Sequence, residues 1–308
     1  MSKTYIFGHK SPDTDSIAST IVMENYEKKL GNNEVEGVRI GNLNKETQYV
    51  FNRFGFKVPR MVENLDDVDQ VILVDHNEFN QSADGIENVK ILKVVDHHRI
   101  NNFKTSEPLY YRAEPVGCTG TILYEMYKEK NIEMTPDIAT LCLSAIISDT
   151  LLLKSPTCTS LDEKAAFELA NIAKLDINEY GLEMLKAGTD LSDLNEKELI
   201  NIDGKEFDIS GKKVKVAQIN TASIPDMLKR QEKIEEEMKK EISEKSLSLF
   251  IVMVTDIIEN NSEIIVLGDE ISSFENGFNV KLENNSAYLP GVVSRKKQIV
   301  PIITEALK

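Results

Sequence analysis

Cysteine is scarce in this chain of 308 residues: Cys118, Cys142 and Cys158 are the whole complement, and none stands in CxxC spacing. An odd number so placed excludes a disulfide framework and argues against a thiolate zinc site, so the three are expected to be buried thiols. Long apolar runs are missing too. Nothing approaches the roughly 20 residues that a membrane span needs. The first residues, MSKTYIFGHKSPDTDS, set charges and a proline where a secretory leader would need its apolar stretch. A cytoplasmic protein with no membrane partner is the expectation. Basic residues are outnumbered, 36 Lys and Arg against 51 Asp and Glu, and the net charge of −15 opposes a nucleic acid partner, whose binding depends on cations displacing counterions. A small anion remains admissible, because metal ions and a few basic groups can create a positive field inside an acidic protein. Internal repeats and low-complexity tracts are absent as well.

What is present is an ordinary globular composition, 41% hydrophobic and 28% charged, sufficient for a sizeable core. The length passes the point where a single core stops growing, which favours two domains and a cleft. In the first half, β-rich and amphipathic helical runs alternate: KTYIFGH, SIASTIVMENYEKKLG, EVEGVRIG, KETQYVFNRFG, DQVILVDH and NVKILKVVDHH. This is the βαβ rhythm of a parallel sheet with covering helices. DQVILVDH is almost wholly apolar until Asp75, which predicts a central strand buried on both faces. Over 119–188 the pattern turns helical, and Asp149 closes the most apolar of these helices. The polar stretch 189–195 is predicted as a hinge linker separating residues 1–188 from 196–308. Beyond it, KEFDISGKKVKVAQIN predicts a hairpin turning at Ser210 and Gly211, one long helix with a solvated face is predicted over 224–245, and LSLFIVMVTDII and SEIIVLGD predict two strands. The expected fold class is therefore α/β, with an N-terminal parallel-sheet domain and a smaller C-terminal α/β domain.

The four histidines crowd into the first third of the chain, each near an aspartate: His9 in GHKSPDTDS, His76 in VDHNE, His97 and His98 in VVDHH. Mixed imidazole and carboxylate donors favour manganese, cobalt, iron or zinc over magnesium or calcium. These clusters follow predicted strands, and ligands of open α/β sheets gather outside the carboxyl ends of strands. Pro12 disfavours a helix start at Ser11, so His9, Asp13 and Asp15 are expected on a loop leading into a helix at Ser16; plain helix capping by the two aspartates is the alternative. Asp75 and His76 have a turn as their alternative. Asp96, His97 and His98 would be costly to bury without partners. Asp149 needs a cation, a cap or solvent. Together, His9, His97, Asp13, Asp15, Asp75 and Asp149 suit two metal ions that share carboxylates. Such a shell is near neutral, so a multiply charged anion needs further cations. Arg295, Lys296 and Lys297 in GVVSRKKQ and Lys205 are candidates, although SRKKQ by itself also reads as a basic surface turn.

In order and across essentially the whole chain, GHKSPDTDS, VDHNE, VVDHHR, YYRAEPVGCTGT, LSAIISDT, LKSPTCT and GVVSRKKQ resemble the family II inorganic pyrophosphatases, the manganese- or cobalt-dependent branch of the DHH phosphoesterase superfamily. The resemblance implies a DHH domain followed by a DHHA2-like domain, an active site in the cleft between them, and homodimers formed through the first domain. It implies hydrolysis of pyrophosphate to two phosphates by a water activated between two Mn2+ or Co2+ ions per subunit, with additional Mg2+ entering beside the substrate. His9, Asp13, Asp75 and Asp149 would hold one ion, and Asp15, Asp75, His97 and Asp149 the other. His98, Lys205, Arg295 and Lys296 match substrate-contacting positions, while Asp96 and His76 fit partners that orient ligands. Two other readings stay in view. Superfamily relatives cleave polyphosphate, oligonucleotides or cyclic dinucleotides, but the nucleotide-cleaving ones typically carry a glycine-rich terminal motif with a histidine, and here no histidine follows His98. The second is a metal-dependent phosphate-binding protein without turnover.

Overall fold

The apolar runs of the first half become strands of one parallel sheet. In the computed structural model, which describes residues 3–308, the chain divides into two units, Met1–Gly188 and Thr189–Lys308. The first unit contains β1 (Thr4–Phe7), α1 (Thr14–Lys29), β2 (Val35–Arg39), α2 (Lys45–Phe54), β3 (Arg60–Met61), β4 (Gln70–Val74), β5 (Lys90–Asp96) and β6 (Tyr110–Ala113). Four helices follow: α3 (Thr119–Glu129), α4 (Pro136–Asp149), α5 (Ser160–Ala173) and α6 (Ile177–Gly188). The strands pair in the order β3-β2-β1-β4-β5-β6, all parallel. Strand order reverses at β1, which lies between β2 and β4, and a crevice opens at such a switch point. Residues 71–74 of β4 are completely buried, as a central strand requires. The unpredicted strands, β3 and β6, are the two short edge strands, where half-exposed residues leave no apolar run to read.

Helix ends follow local chemistry. Asn44 caps α2 by accepting a hydrogen bond from Thr47 N at 2.7 Å, and Gly55, at φ 69°, ends it in the left-handed conformation that glycine adopts freely. Thr135 and Pro136 start α4, whose residues 138–147 are all buried. Directly after α4, Leu151, Leu152 and Leu153 form a left-handed turn, with φ of 48°, 56° and 64°. Leucine avoids this region, at roughly 1–2 kcal/mol per residue. Gly181 makes room for the turn, because a Cβ there would collide with Leu152 Cδ1.

The second unit contains α7 (Glu196–Leu199), β7 (Gly204–Ile209), β8 (Lys212–Thr221), α8 (Ile224–Leu228), α9 (Gln231–Lys245), β9 (Leu249–Asp256), β10 (Asn261–Gly268), α10 (Ile271–Phe278), β11 (Ser286–Pro290) and α11 (Val300–Ala306). Its mixed sheet runs β11-β10-β9-β8-β7, with β8 and β9 the parallel pair. The β7–β8 hairpin turns at Ser210 and Gly211, both with positive φ, as a tight hairpin needs. Alternate residues of β9 serve two cores. Phe250, Val252 and Val254 pack with Ile234 and Met238 of α9, and Leu249, Ile251 and Met253 pack with Phe274 and Ile303 of α10 and α11.

Three expectations need correction. The helix foreseen over 224–245 is two helices, α8 and α9, because the Arg230 guanidinium at the break is fastened to Leu191 O at 3.0 Å, Leu194 O at 2.5 Å and Glu196 at 3.0 Å. The second unit also has a fifth strand, β11, at the sheet edge. Cys118 and Cys142 are buried thiols, but Cys158 is only partly covered. Among the described residues, no helix is long and apolar enough to cross a membrane.

Candidate metal centre

The carboxyl ends of β1, β4 and β5 carry the imidazoles and carboxylates that the sequence singled out. His9 follows β1. Helix α1 begins at Thr14, two residues before the expected start, so Asp13 is its cap and Asp15 lies in its first turn. Asp13 caps the helix and also faces His9: Oδ1 accepts from Ser16 N at 2.9 Å, while Oδ2 lies 3.4 Å from His9 Nε2. Asp15 is fully buried, and its carboxylate accepts from Ser19 Oγ at 2.6 Å, Thr119 N at 2.8 Å and Gly120 N at 3.2 Å. Asp75 leaves β4 with a left-handed backbone, φ 57°, a conformation aspartate tolerates better than most residues. Asp149 is the last residue of α4.

These groups converge. Asp75 Oδ2 lies 3.4 Å from His9 Nε2, and Asp75 Oδ1 lies 3.4 Å from His97 Nε2, which is also 3.4 Å from Asp149 Oδ2. Donor atoms of Asp15, Asp75, His97 and Asp149 lie within 4.8 Å of one another, as do those of His9, Asp13 and Asp75. Asp75, His97 and His98 form a third such group, so Asp75 belongs to all three, while Asp149 lies in the group with Asp15 and His97. Donors ~2.1 Å from one ion, and roughly 90–110° apart around it, stand ~3.0–3.4 Å from each other. The observed separations thus suit a shared cation and exceed ordinary hydrogen bonds.

Two further observations fit a cation. Asp75 Oδ2 and His97 Nε2 are buried and have no hydrogen-bond partner, which is rare unless something else satisfies them. His97 Nδ1 lies 3.1 Å from Val116 O, to which it donates, leaving Nε2 to face the centre as in histidine metal ligands. Without a cation the centre holds protons. Burial pulls the His9 imidazole down, but the contacts with Asp13 and Asp75 outweigh it and raise His9 to about 10. His97 is likewise raised to about 9 by Asp75 and Asp15 against burial. Burial and the Asp75 charge push Asp15 up to about 7, and burial with the charges of Asp15 and Asp75 pushes Asp149 well up. Asp75 is held low despite burial, because His9 and His97 both contact it.

Around the donors stand residues with supporting contacts. Asp96 is buried; its Oδ1 accepts from His98 N and Nδ1, both at 3.0 Å, and its Oδ2 accepts from Asn77 Nδ2 at 2.7 Å. That arrangement leaves Nε2 of the half-exposed His98 for an incoming group. His76 departs from expectation. Its ring nitrogens sit 2.9 Å from Val74 O and 2.7 Å from Ser82 Oγ, so it fastens its own loop instead of orienting a donor. Thr119 adds Oγ1 to Asp75 Oδ1 at 3.2 Å. Glu46 of α2 accepts from Thr14 Oγ1 at 2.6 Å and Ser148 Oγ at 2.5 Å, each a chain neighbour of a donor residue. Sequence reasoning missed Asn77, Thr119, Gly120 and Glu46. The first three act through amide groups and a hydroxyl, which no charge pattern reveals. Glu46 reads as one of many acidic residues in a helix's first turn.

In the second unit, Lys205 on β7 and Lys296 are exposed and have no ion-pair partner among the described residues, and Lys297, next to Lys296 in the chain, is exposed as well. Arg295 is buried, not part of an exposed basic turn: its guanidinium contacts Asp203 O and lies 3.0 Å from Asp203 Oδ1.

The DHH family N-terminal domain matches residues 3–146, and the DHHA2 domain matches residues 182–306. A histidine and aspartate centre at the carboxyl edge of a parallel sheet, followed by a DHHA2 domain, makes this a DHH-type protein. The manganese-dependent inorganic pyrophosphatase of Bacillus subtilis (strain 168) is 56% identical over 308 residues, covering 100% of this chain and 99% of that protein. A crystal structure from Methanococcus jannaschii, assigned to family II inorganic pyrophosphatases, superposes with a TM-score of 0.62 at 40% identity, covering 99% of each chain. An exopolyphosphatase-related protein from Bacteroides fragilis shares the fold, with a TM-score of 0.50 at 13% identity, over 99% of this chain and 92% of that one. The chain belongs to the family of manganese-dependent inorganic pyrophosphatases.

Proposed function

We propose that this protein hydrolyses inorganic pyrophosphate to two phosphates at a centre of two Mn2+ or Co2+ ions, one held by His9, Asp13, Asp75 and Asp149, the other by Asp15, Asp75, His97 and Asp149. The observation that carries this reading is the Asp75 carboxylate, whose two oxygens face the imidazoles of His9 and His97 at 3.4 Å each, with Oδ2 lacking any hydrogen bond. When bound, the metal ions would supply a water acidified toward a pKa of roughly 7, and additional Mg2+ would accompany the substrate.

The chain's own groups have distinct tasks in this scheme. Asp96 fixes the His98 ring through Nδ1, so that Nε2 can donate to a phosphoryl oxygen. Lys205, Arg295 and Lys296 neutralise the nonbridging oxygens and the leaving phosphate. Arg295 would exchange its contacts with Asp203 for the phosphate, and the guanidinium fork suits either partner. We also propose a homodimer formed through the first unit. Its edge strand β6 offers unpaired backbone groups and the exposed Tyr110, features that favour strand pairing with another copy.

Phosphate release tests the reading. Metal-stripped protein reloaded with Mn2+ is expected to turn over magnesium pyrophosphate rapidly and to leave polyphosphate and a dinucleotide intact. Cleavage of the longer substrates would move the protein to another branch of the superfamily, and no turnover at all would leave a phosphate-binding protein.

A further inference from the structure

Two motifs of the sequence, YYRAEPVGCTGT and LKSPTCT, contribute no donor to the centre, yet they meet at one buried carboxylate. Asp162 is completely buried, and among the described residues no cation pairs with it. Its Oδ2 accepts from Thr159 N and Thr159 Oγ1, both at 2.7 Å, and from Gly117 N at 2.9 Å, while Oδ1 accepts from Thr121 Oγ1 at 2.6 Å. The contacts with Thr159 form the capping box of α5 and would by themselves explain an acidic residue here. The contacts with Gly117 and Thr121 are outside that explanation.

Gly117 and Thr121 enclose the part of segment 116–121 that runs against the centre. Val116 O receives His97 Nδ1 at 3.1 Å, Thr119 N and Gly120 N donate to Asp15 at 2.8 and 3.2 Å, and Thr119 Oγ1 donates to Asp75 at 3.2 Å. Three of the proposed metal-holding residues thus depend on this one segment for their orientation. The segment is also clamped from both sides: a Cβ on Gly117 would stand 2.8 Å from Thr150 Cγ2, the residue after Asp149, and 3.0 Å from Asp162 Oδ2.

We infer that Asp162 is a positioning residue for the metal centre, holding segment 116–121 so that His97, Asp15 and Asp75 keep the orientation a cation needs. The inference rests on the metal-centre reading above and adds a layer to it. A donor set ordered before the ion arrives binds it more tightly, and loss of supporting hydrogen bonds weakens binding by ~10–100-fold.

The test is Mn2+ binding to the metal-free protein, followed by the electron paramagnetic resonance signal of free Mn2+, for wild type, Thr121→Val and Thr159→Ala. Both variants remove one hydroxyl from Asp162, and both are expected to lower the unfolding midpoint. Thr121→Val, which loosens the side facing the centre, is expected to weaken Mn2+ binding by ~10-fold. Thr159→Ala, which loosens only the helix cap, is expected to bind Mn2+ as wild type does. Wild-type affinity in Thr121→Val, or an equal loss in both variants, would overturn the inference and leave Asp162 a helix cap. A wild type that takes up no Mn2+ would overturn the metal-centre reading itself, and the inference with it.

Discussion

Asp75 Oδ1 and His97 Nε2 face each other at 3.4 Å, while the opposite nitrogen of His97 is committed to Val116 O at 3.1 Å. Since Asp75 Oδ2 faces His9 at the same 3.4 Å, one carboxylate joins both donor groups. Loading of the centre, its pH dependence and its sensitivity to mutation follow from this junction.

Loading should release protons. In the metal-free protein, His9 and His97 are raised to about 10 and about 9, so both rings carry a proton at neutral pH, which an arriving ion must displace from the nitrogen it uses. Affinity for each ion therefore falls by ~10-fold per pH unit as pH falls below the value of the ring that holds it, about 10 for His9 and about 9 for His97. Titration calorimetry with Mn2+ in buffers of different ionisation enthalpy is expected to report proton release. A binding enthalpy independent of buffer would contradict protonated imidazoles in the free centre.

Asp149 closes α4 and donates into the group containing His97. Asp149→Ala is expected to lower the rate of pyrophosphate hydrolysis by at least ~1,000-fold, because it removes a carboxylate proposed to be shared by both ions. The circular dichroism spectrum should stay that of the wild type. Near-normal turnover with normal metal content would sink the assignment.

Arg295 and Lys296 lie outside the donor groups, so their effects should separate from loading. For Arg295→Ala, Mn2+ content should equal that of wild type while kcat/KM falls by ~100–1,000-fold, the usual loss for one oriented donor. Elemental analysis beside steady-state kinetics checks both halves, and a variant that loses its metal would mean that Arg295 supports the fold of the centre instead.

Glu46 links the hydroxyls of Thr14 and Ser148. Burial raises its carboxyl against those two hydrogen bonds, so the ionised form is the strained one. Glu46→Gln keeps an acceptor without the charge and should leave stability almost unchanged at pH 7. Glu46→Ala removes the carboxylate acceptor from both hydroxyls, of which only Thr14 Oγ1 keeps another contact, Thr47 Oγ1 at 3.1 Å, and urea unfolding is expected to show a loss of ~1–3 kcal/mol. Equal midpoints for Glu46→Ala and wild type would show that the two hydroxyls find water instead.

Much of this architecture could be read from residue patterns, for physical reasons. DQVILV can only be a buried strand, and PDIATLCLSAIISD is too long and too uniformly apolar to be anything but an interior helix. The donor set was visible because ionisable side chains beside such segments demand partners. Where the sequence misled, backbone geometry was the cause. The helix break at Lys229 and Arg230 depends on carbonyls at Leu191 and Leu194, some forty positions away. Three leucines in a left-handed turn resemble any other apolar run until Gly181 is seen beneath Leu152. The amide donors of Thr119 and Gly120 have no side-chain signature at all.

Topology also fixes when the metal can matter during folding. His9, Asp75, His97 and Asp149 sit at the ends of β1, β4, β5 and α4, elements separated along the chain and joined through long crossovers. No short stretch contains both imidazoles and Asp149, so a collapsing chain has no comparable site to offer. Slow, long-range strand pairing must be completed by apolar burial alone, from runs such as Val71–Val74. Manganese would then act on the finished product: it deepens the native basin by mass action and slows loss of the fold, but it gives no help in reaching it.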